Sequence, residues 1–211
     1  MTGIINFETF LLAGILLNIT PGNDTIFILT RSIAQGKKAG IMSVLGIATG
    51  SIIHTTFAAF GLSVIISESV VAFSILKYAG AAYLIFLGCK MLVEPTRLEI
   101  KFRHRQRTVD LKKTYRDAVF TNVLNPKVAL FFIAFLPQFI DPAFKNTVVP
   151  FMLLGISFTI TGTVWCLVLA NFASFVAAKI KSNYRISSCI NKTCGLVLVG
   201  LGLKLALSRK R

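Results

Sequence analysis

Long apolar stretches, separated by short polar ones, run through almost the whole chain. A helix needs about 20 mostly apolar residues to cross the hydrocarbon core of a bilayer, and six stretches have about that length or more. They lie at 7–30, 40–66, 70–93, 117–140, 147–178 and 189–207. The pattern predicts an all-α membrane protein with six transmembrane helices.

The composition agrees with this interpretation. Of the 211 residues, 55% are hydrophobic and 15% are charged, which is too apolar for a soluble domain. The longest polar stretch, 94–116, is shorter than the roughly 50 residues of an independent domain. Any chemistry must therefore lie among the membrane helices.

The net charge of +15 would suit nucleic acid, but the basic residues lie in short loops between apolar stretches, so a nucleic-acid partner is excluded. The Lys and Arg excess is concentrated in three loops, at 31–38, 97–116 and 179–185. The positive-inside rule makes these loops cytoplasmic and places the N-terminus outside. The basic tail 209–211 would lie on the outer side in this topology, against the rule. The larger Lys and Arg excess in the three loops decides the predicted orientation.

Two of the apolar stretches are interrupted at matching places by proline with polar neighbours. The first stretch contains NITPGND at 18–24, and the fourth contains NVLNPK at 122–127. Proline has no N–H and clashes with the carbonyl four residues back, so each break frees backbone groups that need partners in a membrane. Breaks in helices 1 and 4, at Pro21 with Gly22 and at Pro126, predict a transporter binding site near the midplane.

Weaker similarities accompany the breaks. Runs of small and hydroxyl residues begin at Gly46 and Gly155 in the second and fifth stretches. We therefore predict a 3+3 inverted repeat, with repeats at 1–93 and 117–211 joined by a basic cytoplasmic linker at 94–116. Chance resemblance between apolar segments is the alternative.

Small-residue faces such as the GxxxG of Gly46 and Gly50 indicate close helix packing. Packing within the bundle is the default interpretation of such a face. A homodimer contact is the alternative.

Asp24 is the only acidic residue well inside an apolar stretch. A carboxylate there costs about 2.5–3.5 kcal/mol, so we expect it to hold a proton or substrate, although it or Asn23 could also cap the restarting helix. Lys127 lies at a comparable depth in the membrane, so we predict that it forms a salt bridge with Asp24. The alternative for Lys127 is snorkelling toward the cytoplasm.

His54, in the middle of the second stretch, suits either a proton relay or an interior histidine bonded to a carbonyl or hydroxyl. Four polar side chains near the breaks could satisfy freed backbone groups or bind a polar ligand: Asn18, Thr20, Asn122 and Asn125. With the positive end of a half-helix, these groups suit a zwitterion such as a small amino acid.

Neither a metal site nor a cofactor is predicted. The four cysteines lie in or beside apolar stretches without a CxxC pair and are interpreted as apolar packing: Cys89, Cys166, Cys189 and Cys194. An intramembrane enzyme would need a nucleophile with a base or a metal set, for which the residues are few. A passive pore would more often show a ring of like charges.

The chain resembles the LysE/RhtB amino-acid exporters. The TPG, NPK and LPQF segments occur together and in order, within matching stretches at 17–40, 46–62, 76–92 and 120–142. The resemblance implies a six-helix protein of the bacterial inner membrane that exports amino acids, usually driven by the proton gradient. Asn23 stands where that family usually has a second proline, which loosens the first break by one restricted φ angle.

The working hypothesis is a secondary carrier that moves a small amino acid out of the cytoplasm, with Asp24 as the coupling site for protons. The nearest alternative is a cation or metal-ion exporter of the same superfamily. A lone carboxylate is a poor divalent site, because such cations need several oxygen, His or Cys ligands.

Overall fold

The computed structural model describes residues 2–62, 70–93, 109–141, 144, 146–173, 175 and 184–207. These residues form helices and no β-strand beyond one isolated bridge between Ile4 and Ile140. The helices in the described ranges are α1 Phe7–Ile19, α2 Asn23–Gln35, α3 Lys37–Phe57, α4 Val70–Val93, α5 Leu111–Val123, α6 Pro126–Leu130, α7 Val148–Asn171 and α8 Tyr184–Leu207. The all-α prediction is confirmed.

Both predicted breaks interrupt their helices. The bend between α1 and α2 is 47°, and the bend between α5 and the helical path from Pro126 to Phe139 is 46°. That path continues α6 as a π-helical turn, Phe131–Phe135, and a 3₁₀ turn, Leu136–Phe139. Proline begins the second path without cost, because the first N–H groups of a helix have no partner in it.

Several described helices are apolar and long enough to cross a membrane. Two qualify unbroken: α3 extended through a π-helical turn to Leu62, with 26 residues, and α7, with 24. The two bent pairs raise the number to four if each pair is one span. Helices α4 and α8 have 24 residues each and correspond to the predicted third and sixth stretches.

Some helix bounds differ from those predicted. The first path extends to Gln35 rather than residue 30, and α5 begins at Leu111, inside the predicted linker. Asp110 explains the early start, because its carboxylate accepts a hydrogen bond from Lys113 N at 2.9 Å and caps α5. Residues 94–108 of the linker and residues 208–211, which include the basic tail, lie outside the described residues.

Helix α3 lies against α2, α5 and α7, and α4 lies along α8. The GxxxG face of α3 is covered by α5 of the same chain. A Cβ on Gly46 would meet the carbonyl of Tyr115, and one on Gly50 would lie 2.7 Å from Asn122. This face therefore packs within the bundle.

The outer surface carries large apolar side chains. Five of the most exposed in the long helices are 58–70% exposed: Phe57, Phe60, Phe86, Ile160 and Val164. Such an apolar exterior is a liability in water, and it matches the surface that helices present to lipid.

Candidate functional site

A cavity lies between the two breaks and is bordered by α1, α2, α3, α5, α6 and α7. Four candidates from the sequence line it: Asn18, Asp24, Asn122 and Lys127. Its volume is about 40 Å³, enough for about three waters at roughly 10–15 Å³ each. The structure thus joins residues about a hundred positions apart into one polar site.

Asp24 lies in the first turn of α2 and is held by α5. Asn122 Nδ2 donates to Asp24 Oδ2 at 2.9 Å. Asp24 Oδ1 and Asn122 Oδ1 are both buried, and neither has a hydrogen-bond partner among the described residues. The Asn125 amide also approaches the carboxylate, but its Nδ2 completes no hydrogen bond of normal geometry there. The site therefore presents two buried acceptor oxygens.

Lys127 replaces the helical bonds that the first break removes. In an unbroken helix the Leu17 carbonyl would accept from residue 21, which is proline and has no N–H. Lys127 Nζ donates instead to the carbonyls of Leu17 and Thr20, at 3.0 and 2.9 Å. The ammonium also acts electrostatically on Asp24. A direct salt bridge between the two stays a prediction.

Two glycines make room for the amides beside the breaks. A Cβ on Gly162 of α7 would lie 3.0 Å from Asn18 Oδ1, and one on Gly50 of α3 would lie 2.7 Å from Asn122 Oδ1. Asn18 Nδ2 donates to the Phe158 carbonyl at 3.4 Å and to a threonine hydroxyl of α7 at 3.3 Å. Asn18 therefore ties the end of α1 to α7.

His54 contacts the second break from outside the cavity lining. Its Nε2 lies 3.2 Å from the carbonyl of Asn122, the group that would bond to residue 126 if that residue were not proline. A carbonyl only accepts, so Nε2 carries the proton in this contact. The His54 ring also stacks on Phe132, with 5.6 Å between centroids. This is the contact expected of an interior histidine.

The remaining candidates lie beside the breaks and do not line the cavity. The Thr20 hydroxyl donates to the Leu16 carbonyl at 2.7 Å, and Asn125 Oδ1 accepts from Lys127 N at 3.0 Å as the cap of α6. Asn23 is exposed at the start of α2. Gly22 lets the ammonium approach, since a Cβ there would lie 3.2 Å from Lys127 Nζ.

Two features were missed from the sequence. Arg31 Nη2 forms an ion pair with Asp117 Oδ2 at 3.0 Å, joining the α2 C-terminal half to α5. The sequence feature that could have indicated this pair is a basic residue directly after the first apolar stretch and an acidic residue at the start of the fourth. The second feature is the cavity wall formed by α7, which includes Phe158 and Cys166. Only the small-residue run beginning at Gly155 indicated it.

Apolar helices of spanning length, two of them broken around a cavity lined by buried polar groups, define an integral membrane protein of the transporter class. The chain belongs to the LysE type translocator family, whose model matches residues 15–209.

Curated relatives match nearly the whole chain. An uncharacterized membrane protein, YrhP of Bacillus subtilis (strain 168), is 33% identical, over 90% of this chain and 93% of its own length. Leucine efflux proteins of Salmonella choleraesuis (strain SC-B67) and Salmonella typhimurium (strain LT2) are each 31% identical, over 97% of this chain and 96% of their own. No solved structure matches the chain.

Proposed function

We propose that this protein exports a small amino acid from the cytoplasm by proton-driven antiport, with Asp24 as the coupling site. The observation that carries the proposal is the buried Oδ1 of Asp24, which has no hydrogen-bond partner in the described part of the chain and lies in a cavity between two broken helices. Family membership and relatives named for leucine efflux support the substrate class.

The proposed topology is six spans in the bacterial inner membrane, with the N-terminus outside. Residues 1–93 and 117–211 form the inverted repeats, and 94–116 is the cytoplasmic linker. The packing supports two equivalent repeats, because the corresponding helices make corresponding contacts. Helix α3 of the first repeat lies on α5 of the second, and α7 of the second lies on α1 and α2 of the first. The asparagine beside each break also lies against a glycine of the other repeat, Asn18 against Gly162 and Asn122 against Gly50.

The proposed coupling follows from the two oxygens of one carboxylate. Asn122 holds Oδ2, so Oδ1 receives either a proton or the ammonium of the amino acid, but not both at once. Occupation by one ligand excludes the other, and this exclusion makes transport an exchange. Rocking of the two repeats about the cavity then presents Asp24 to each side of the membrane in turn.

In the proposed orientation, the ion pair of Arg31 and Asp117 lies between the cavity and the cytoplasm. It joins α2 to α5, which belong to different repeats. Opening toward the cytoplasm requires this pair to separate. Both side chains are partly exposed, 26% and 31%, so water can replace the contact at modest cost.

A cation exporter is the second candidate, and the site's charges argue against it. The groups around Asp24 include the Lys127 ammonium and the amides of Asn122 and Asn125. A divalent cation prefers several oxygen ligands and would be repelled by the ammonium. A zwitterion brings one charge of each sign and leaves the net charge of the site unchanged.

The test uses purified protein in proteoliposomes loaded with labelled leucine. We expect a pH gradient to drive leucine movement through the wild type. Asp24→Asn removes the titratable group while keeping its shape, so gradient-driven movement should fall to the background while counterflow exchange at equal pH persists. Gradient-driven movement at the wild-type rate in Asp24→Asn would refute the coupling role.

Glu8→Gln is the matched control. It makes the same carboxylate-to-amide change at an exposed position in the first turn of α1. We expect this variant to respond to the gradient as the wild type does. Transport of none of the common amino acids by the wild type would contradict the export proposal itself.

A further inference from the structure

One face of α7 forms a wall of the cavity that the coupling chemistry does not use. Five of its residues line the cavity at positions i, i+1, i+4, i+5 and i+8, the spacing of a single helix face: Phe158, Thr159, Gly162, Thr163 and Cys166. Ile47 of α3 and Val128 of α6 extend the apolar lining. The cavity therefore has an apolar part as well as a polar one.

The polar part comes from other helices. Asp24 is on α2 and Asn122 on α5, and their buried oxygens Oδ1 are the acceptors without partners among the described residues. These atoms fit the ammonium of an amino acid. If the ammonium binds there, the substrate's side chain is left to face the wall on α7.

Phe158 makes that wall rigid. Its ring stacks on Phe131 with 4.6 Å between centroids and meets Phe132 edge-on at 5.5 Å. Its carbonyl accepts from Asn18 Nδ2 at 3.4 Å. A ring held on two sides, with its backbone also bonded, cannot turn away from a bulky ligand without disturbing the packed core.

Gly162 and Thr159 affect the size and the polarity of the space beside the wall. The absence of a side chain on Gly162 leaves space beside Asn18, where a Cβ would lie 3.0 Å from Oδ1. The Thr159 hydroxyl is already bonded within the protein, 2.9 Å from the Gly155 carbonyl and 3.0 Å from Ser51 Oγ. Its proton is therefore already engaged, while the Thr163 hydroxyl also lines the cavity.

We propose that this wall is the subsite for the substrate's side chain, that it selects aliphatic amino acids, and that Gly162 and Phe158 limit the side-chain size. The assignment rests on the proposed function, because it needs an amino acid in the cavity. It adds the class of substrate and two residues that determine specificity.

The first experiment compares valine with threonine in the wild type, by competition against labelled leucine in counterflow. The two side chains have the same shape, but threonine must place its hydroxyl on a wall where Phe158 and Gly162 offer no side-chain hydrogen-bond partner. We expect valine to compete about tenfold or more better, the discrimination typical of an apolar pocket against a hydroxyl. Equal or better competition by threonine would overturn the aliphatic assignment.

The second experiment changes the size of the subsite in both directions. Gly162→Ala should lower the preference for leucine over alanine by about tenfold, as one carbon in an apolar pocket does, and Phe158→Leu should admit phenylalanine. The controls are Gly200→Ala, where a Cβ meets nothing within 4 Å, and Phe86→Leu at a 61% exposed position. Unchanged selectivity in both subsite variants would overturn the size assignment.

A binding measurement separates this inference from the proposed function. Bound ligand raises the melting temperature of the purified protein by mass action, with or without transport. Melting raised by valine and not by threonine, in a protein that transports no amino acid, would support the subsite and refute export. Amino-acid transport without that difference in melting would support export and refute the subsite.

Discussion

The two breaks bend their helices almost equally, by 47° and 46°, but they satisfy the freed backbone groups differently. Each proline removes the N–H that the carbonyl four residues earlier would accept. At the first break that carbonyl belongs to Leu17, and it receives the charged Nζ of Lys127 from the second break. At the second break it belongs to Asn122, and it receives Asn125 N at 2.9 Å from its own turn.

The caps differ in the same way. Asn125 caps α6 with its own side chain, whereas Gly22, before α2, has none to offer. The second break is therefore largely complete within its own segment, while the first depends on a residue about 110 positions away. A sequence can show that two helices are broken, but only the fold shows that one break supports the other.

Replacing Lys127 should have the largest effect on stability. Lys127→Met keeps the length of the side chain and leaves the Leu17 and Thr20 carbonyls without their charged donor. Hydrogen bonds from charged groups contribute about 1.5–3 kcal/mol each, so we expect a loss of about 3 kcal/mol or more. Denaturant titration in detergent measures it, with Lys112→Met at an exposed position of α5 as the control.

A double variant decides whether Lys127 acts as a cap or as the counterion of Asp24. If pairing with Asp24 were its main role, removing both charges in Lys127→Met with Asp24→Asn would recover most of the lost stability, because no charge would remain unpaired. We expect little recovery, since the carbonyls of α1 stay without a donor. Full recovery would contradict the capping role.

Removing the local cap of the second break should have a smaller effect. Asn125→Ala deletes the acceptor for Lys127 N, and losing such a cap costs about 1 kcal/mol. Asn125→Ser keeps an acceptor and should recover most of that loss. The matched change is Asp110→Ala, which removes the exposed cap of α5 at a similar cost. A much larger loss at Asn125 would show that the second break also depends on more than its own turn.

The sequence predicted the breaks and the polar site because both depend on local chemistry. Proline deep within an apolar stretch interrupts a helix in any fold, and a buried carboxylate needs a partner in any fold. The partner of each group depends on which helices meet, which one sequence does not specify. The pairing of Lys127 with Asp24 stays a prediction, but the sequence did not indicate the hydrogen bonds of Lys127 to the Leu17 and Thr20 carbonyls.

The wall on α7 shows the same limit. Cys166 was interpreted as apolar packing, and it is buried at 8% exposure, but it also lines the cavity. Apolar residues occur on every face of such a helix, so periodicity does not distinguish the face toward the cavity from the face toward lipid. The small residues of the run from Gly155 were the only local signal.

The smallest expected effect concerns His54 and separates its two interpretations. His54→Leu removes the bond to the Asn122 carbonyl, but that carbonyl keeps the N–H of Asn125. The cost should therefore be about 1 kcal/mol or less, and His54→Gln, which can still donate, should recover part of it. If His54 only supports the break, gradient-driven leucine movement in proteoliposomes should continue in both variants.

A relay role for His54 gives a different pattern in the same assay. Glutamine donates a hydrogen bond but does not titrate near neutral pH, so His54→Gln would lose gradient-driven movement while keeping both stability and counterflow. The contact with a backbone carbonyl and the stacking on Phe132 favour support of the break. Loss of the proton drive in His54→Gln alone would reverse that conclusion and would show that the second break, like the first, depends on a distant ionisable side chain.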